Sequence, residues 1–106
     1  MKKWDNRKTE DLIDALLALK NSGEAKLFLR DLLTEKELLE LGNRWKAAQM
    51  LFGKIAYTKI TEETGLSSTT VARISQWLKK GMGGYTLMLK RISQTHHTAL
   101  PRPRKC

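Results

Sequence analysis

Apolar residues recur along this chain at spacings of three and four, the period of a helix face, and strict alternation of apolar with polar positions is missing. No proline precedes Pro101, and Leu, Ala, Lys and Glu dominate, so the pattern predicts an all-α fold of about six helices. The first is expected over about residues 9–20, with Leu12, Ala15, Leu16 and Leu19 on one face and Ile13 and Leu17 widening it. Asn21-Ser22-Gly23 stops it, and a second helix follows over about 24–32. Thr34-Glu35-Lys36-Glu37 matches a capping box, in which the threonine hydroxyl accepts from the third backbone N–H and the glutamate reaches back to the cap. A third helix therefore starts at Glu35, carries Leu38, Leu41, Trp45, Ala48 and Phe52 along a buried stripe, and ends near Gly53. A short helix over 57–64, a turn at Gly65-Leu66 and a helix over 68–80 come next. Gly81-Met82-Gly83-Gly84 is a flexible break before a last helix over about 85–93, and residues 94–106, with Pro101 and Pro103, read as a disordered basic tail.

The chain has 106 residues, the size of one domain, so residues 1–93 are expected to form a single helical unit. Its first two helices are apolar on more than one face, and a core this small covers only part of that surface. A homodimer is the expected remedy, with the helices of about 9–52 as the dimerisation region. Charge separates the two halves. Residues 1–52 hold ten basic and nine acidic side chains, whereas residues 53–106 hold ten basic and two acidic, and no acid follows Glu63. A surface of that kind attracts a polyanion, nucleic acid first among them. The lone cysteine, Cys106, excludes an intramolecular disulfide. Asp5, Asp11 and Asp14 interrupt the only stretch that could serve as a signal peptide, and no apolar run approaches the roughly 20 residues of a membrane span. The expectation is a cytoplasmic protein that uses no membrane.

The segment from Tyr57 to Ile74 has the spacing of a helix-turn-helix. Ile60, Leu66, Val71 and Ile74 would form the small core that sets the crossing of the two helices. Gly65 would supply the positive φ of the turn, and Ser67 or Ser68 would cap the second helix. Ser68, Thr69, Ala72, Arg73, Gln76, Lys79 and Lys80 then face away from that core. A helix entering the major groove needs short hydrogen-bonding groups near base edges and cations where phosphates flank it, which is this pattern. Double-stranded DNA is the predicted partner. The predicted contacts are Lys54, Thr58, Lys59, Ser67, Ser68, Thr69, Thr70, Ala72, Arg73, Gln76, Lys79 and Lys80.

From Leu29 to Leu89 the chain resembles the Trp repressor superfamily, and most closely its Trp-repressor-related proteins of the YerC/YecD type. Leu33-Thr34, Leu41-Gly42 with Arg44, and Gly65 through Thr70-Val71 to Arg73 carry the likeness. It implies an intertwined all-helical homodimer, two helix-turn-helix readers in adjacent major grooves, and repression at a palindromic operator. The half-site spacing of one helical turn, about 34 Å, also comes from the resemblance. In the co-repressor-dependent relative, tryptophan lies between two arginines whose positions match Arg44 and Arg73, and Thr34 and Thr70 match threonines of that pocket. Two positions depart from the pattern: Ile74 stands where the family has glycine, and Trp77 where it has a ligand-contacting serine. Both put bulk where the ligand would lie. The expectation is a pocket partly filled by Trp77 or Ile74, a reading helix held in place without free tryptophan, and no cofactor; another, smaller effector is the alternative.

No set of residues supports catalysis. Glu62 and Glu63 are neighbours that point in different directions on a short helix, and a Gly-rich phosphate loop, a Ser-His-Asp set and a partnered cysteine nucleophile are all missing. His96, His97 and Cys106 carry metal-ligating atoms but lack the spacing of a zinc site. Trp45 is expected in the core; Trp4 is undecided. The competing reading is an RNA-binding or protein-interaction module on the same helices. Its basic half offers only Tyr57, Trp77 and Tyr85 for stacking on bases.

Overall fold

Four helices begin where a short polar side chain closes the first turn. The computed structural model describes residues 2–96, and within them there are six helices and no strand. Helix α1 spans Arg7–Ala18. Asn6 Oδ1 accepts from the Thr9 N–H at 3.1 Å while Thr9 Oγ1 accepts from the Asn6 N–H at 3.0 Å. This reciprocal cap starts the helix two residues before the position the pattern indicates, because Thr9 is the third helical residue and not the first. Helix α2, Ser22–Leu32, is capped by Asn21, whose Oδ1 accepts from the Glu24 N–H at 2.9 Å. Helix α3, Glu35–Phe52, starts at the predicted box: Thr34 Oγ1 accepts from the Glu37 N–H at 3.1 Å, and Glu37 Oε1 accepts from the Thr34 N–H at 2.9 Å. Helices α4, Tyr57–Thr64, and α5, Ser68–Lys80, have the predicted bounds. Helix α6, Gly84–His96, runs past residue 93, since nothing before Pro101 breaks it; Gln94 is thus helical and not part of a tail. The rest of the predicted tail, including His97 and Cys106, lies outside the described residues.

The chain divides into two units, residues 1–38 and residues from Leu39 onward. In the first unit, α1 and α2 contain no buried residue. Leu17 is 79% and Leu27 72% exposed, and Ile13, Leu16 and Leu32 are exposed too. An open cleft of about 610 Å³ is lined by Ala25, Leu27, Leu29 and Leu38 among others, nearly all of it apolar surface.

The second unit holds the core. Ala47, Ala48 and Met50 of α3 meet Ile60 of α4, Val71 and Ile74 of α5, and Leu89 of α6. Trp45 packs against this cluster and stacks on Tyr85, with ring centroids 6.2 Å apart, so the predicted core role of Trp45 is met at its edge. Leu41, expected on the buried stripe of α3, is 48% exposed, and Trp4 is 51% exposed. The glycine-rich break is a hydrogen-bonded connection: the Gly81 N–H donates to the Trp77 carbonyl at 2.9 Å, Gly83 takes φ 92, and Thr86 Oγ1 donates to the Leu78 carbonyl at 3.3 Å.

Candidate nucleic-acid interface

Helix α4 has eight residues, too few to persist alone, and its N-cap Ala56 makes no side-chain bond. Packing holds it instead. Ile60 is fully buried, and the buried Thr64 donates from Oγ1 to the Ile60 carbonyl at 2.7 Å and accepts from the Leu66 N–H at 3.2 Å. Thr64 therefore fastens both sides of the turn. Its signal in the sequence is a small hydroxyl directly before the turn glycine, which helical periodicity alone does not pick out. Gly65 ends α4 in the left-handed region, φ 76 and ψ 1, as the turn requires. Ser67 is the cap of α5: its Oγ accepts from the Thr70 N–H at 3.1 Å and lies 3.1 Å from Thr70 Oγ1.

Helical periodicity then splits α5 between two environments. Val71 and Ile74 are fully buried and Leu78 is half-buried against them. Ser68, Thr69, Ala72, Arg73, Gln76, Lys79 and Lys80 are exposed, as are Lys54, Thr58, Lys59 and Ser67; Thr70 is half-buried. Among the described residues the ion pairs are Arg7 with Asp11 and Arg44 with Glu40, so none of these cations faces an acidic partner. Helix α5 presents Arg73, Lys79 and Lys80 outward with no acidic side chain on the helix itself, and its leading turn carries hydroxyls.

The residues matched to an effector pocket have the following surroundings, each within its own unit. Thr34 belongs to the first unit, and its hydroxyl is engaged as the α3 cap. Thr70 is tied to Ser67. Ile74 is core and points its bulk there. Arg73 is exposed and makes no aromatic contact among the described residues. Arg44 and Trp77 do meet: the Arg44 guanidinium carbon lies 5.9 Å from the Trp77 ring centroid, within cation–π range. Arg44 also holds Glu40 Oε2 at 3.2 Å from Nη2, while its Nε is buried without a protein hydrogen-bond partner. Tyr85 is a further neighbour of Arg44, one that sequence spacing does not indicate. Burial pushes its phenol above the ordinary range, and the Arg44 charge pulls against that rise.

No helix among the described residues is long and apolar enough to cross a membrane. The profile of the family described as Trp repressor protein matches residues 7–93. The uncharacterised protein YerC of Bacillus subtilis strain 168 is 33% identical over 93 residues, spanning 88% of this chain and 89% of the relative. A TrpR-like protein from Eubacterium eligens ATCC 27750 has a solved structure that superposes with a TM-score of 0.82 at 35% identity, over 86% of this chain and 94% of that one. A solved structure from Staphylococcus aureus follows at 0.80 and 30% identity, over 88% and 96%. With the six-helix order, the helix-turn-helix and these matches in agreement, the chain belongs to the Trp repressor family of DNA-binding regulators.

Proposed function

We propose that this protein is a sequence-specific transcriptional repressor that acts in the cytoplasm as a homodimer on a palindromic operator. Helix α5 enters the major groove and the lysines at its end meet phosphates. The observation that carries this reading is the outer face of α5: hydroxyls at its start, Gln76 beyond them, Lys79 and Lys80 at its end, and no acid on it. The exposed apolar faces of α1 and α2 support the dimer, since water-facing leucines over two whole helices call for a second copy to cover them. In that assembly residues 1–93 work as one helical domain.

Replacing Lys79 and Lys80 together by glutamate tests the reading. Each phosphate contact contributes about 0.9 to the slope of log affinity against log salt, so a dimer losing four contacts loses roughly 3 to 4 units. Thr69 and Gln76 variants change preference among duplexes instead. Unchanged duplex affinity in K79E/K80E refutes the proposal, and preference for single-stranded RNA over duplex at equal salt favours the RNA-binding alternative.

No free tryptophan is needed in this mechanism. Trp77 places its own indole against Arg44 and so links the reading helix to α3 by a contact that an external indole would otherwise supply. Ile74 takes no part, being committed to the core.

A further inference from the structure

Helix α3 closes in a left-handed turn, and the residue that carries it is a lysine. Lys54 has φ 64. Its N–H donates to the Leu51 carbonyl at 2.9 Å, and the Ile55 N–H donates to the Met50 carbonyl at 3.0 Å. This crossed pair of bonds is a common helix ending whose left-handed position is usually glycine, because a Cβ there crowds the next carbonyl oxygen. A glycine stands one residue earlier, yet positive φ values fall on Lys54, Gly65 and Gly83 and not on Gly53.

The register of the turn follows from packing. Ile55 packs against the core, and sliding the turn back by one residue would withdraw it. Packing therefore explains why position 54 is left-handed. It does not explain why a lysine occupies it, since glycine there would relieve the fold of strain. Lys54 is exposed, and the ion pairs among the described residues do not include it.

We propose that Lys54, a lysine at a left-handed position that glycine would occupy with less strain, is a phosphate anchor for bound duplex DNA; the proposal rests on the duplex-binding reading above. Hydrogen bonds on both sides fix its backbone, so the ammonium swings from a defined root two residues before Ala56, the cap of the first helix of the helix-turn-helix. Contacts of this type set the register of a protein on the duplex and carry no sequence information themselves.

Three variants of the full chain test this. K54G should melt higher than wild type by roughly 4 °C, as strain is relieved. It should also lower the salt slope on every duplex alike by about two units per dimer, one for each protomer. K54A should lose the same slope with melting close to wild type, and K54R should keep the slope. If K54G leaves the slope unchanged while K79E/K80E lowers it, the anchor is overturned and duplex binding stands. If neither variant moves the slope, both fall. A lysine kept only for the carbonyl end of α3 would show itself as K54A melting several degrees lower with an unchanged slope, and that result also overturns the anchor.

Discussion

Gly65 and Gly81 bracket the reading helix, and alanine at each should be costly for unrelated reasons. At Gly65, φ is 76, and an added Cβ would meet nothing within 4 Å. The whole penalty is conformational. Left-handed strain costs about 1–2 kcal/mol, and a stiffer unfolded chain returns part of it, leaving about 1 kcal/mol. At Gly81, φ is −80, which any residue adopts, but the Cβ would sit 2.5 Å from the Trp77 carbonyl oxygen and 3.1 Å from its Cα. Those atoms are backbone and cannot rotate away, so the last turn of α5 must open. The 2.9 Å bond from the Gly81 N–H to that carbonyl would be disturbed with it. Overpacking of this kind costs about 1–3 kcal/mol, to which the weakened bond adds about 1 kcal/mol. Thermal melting by circular dichroism, paired with fluorescence-anisotropy binding to a duplex well below the melting point, separates the two. G65A should melt about 4–8 °C lower with duplex affinity intact, and G65N should lose less. G81A should melt lower still and bind more weakly, because the opened turn carries Trp77, Lys79 and Lys80. A G81A variant milder than G65A, or one with native affinity, would mean that the Trp77 backbone does not resist the added Cβ.

Removing the indole of Trp77 in W77A loses a cation–π contact worth about 0.5–1 kcal/mol, so duplex binding should weaken about two- to fivefold. Added indole should restore it, whereas wild type titrated with L-tryptophan in a calorimeter should give no binding heat; micromolar binding would sink the self-supplied indole. Tyr85 predicts a pH dependence. Its phenol is raised above 10.0 in the folded chain, so folding favours the protonated form. That contribution is complete below the unfolded value and is lost as pH rises through the folded one. Urea midpoints on either side of 10.0 should fall more steeply for wild type than for Y85F, and parallel curves would contradict the assigned burial.

What could be read ahead of the structure was the part set by neighbours in sequence. The α3 start at Thr34 with Glu37, the turn at Gly65 and the Ser67 cap are each closed within three residues, and the hydrogen bonds found there are the ones their side chains call for. The apolar pattern places the α1 start two residues late, because Asn6 and Thr9 form a box that lacks the usual glutamate. Lys54 was legible as a cation but not as a left-handed residue, since Gly53 is the residue that composition alone would choose for that turn. The partners of Arg44 divide in the same way. Glu40, one helical turn away, is a pairing that periodicity supplies, while Trp77 and Tyr85 approach it only through the packing of α5 and α6. Leu41 shows the limit of the stripe argument. Its spacing suits a buried face, but the core gathers on Ala47, Ala48 and Met50 further along α3, and Leu41 stays exposed.

In the proposed regulator, helix α5 serves both stability and recognition, and the period of the helix keeps the two apart. Val71, Ile74 and Leu78 face α3, α4 and α6 and set where the helix lies. Thr69, Ala72, Gln76, Lys79 and Lys80 face water, on the side where the proposed duplex would lie. Trp77 belongs to neither set: at 41% exposure, with Arg44 beside it, it can alter the aim of the helix without being part of the core. Substitutions therefore sort by position along one turn. Truncating Ile74 to alanine should cost about 2–5 kcal/mol of stability and weaken all duplexes together. Changing Gln76 should leave melting alone and reorder duplexes. Changing Trp77 should move affinity by an amount its modest burial cannot account for. A helix used only as scaffold would give the first of these outcomes and neither of the others.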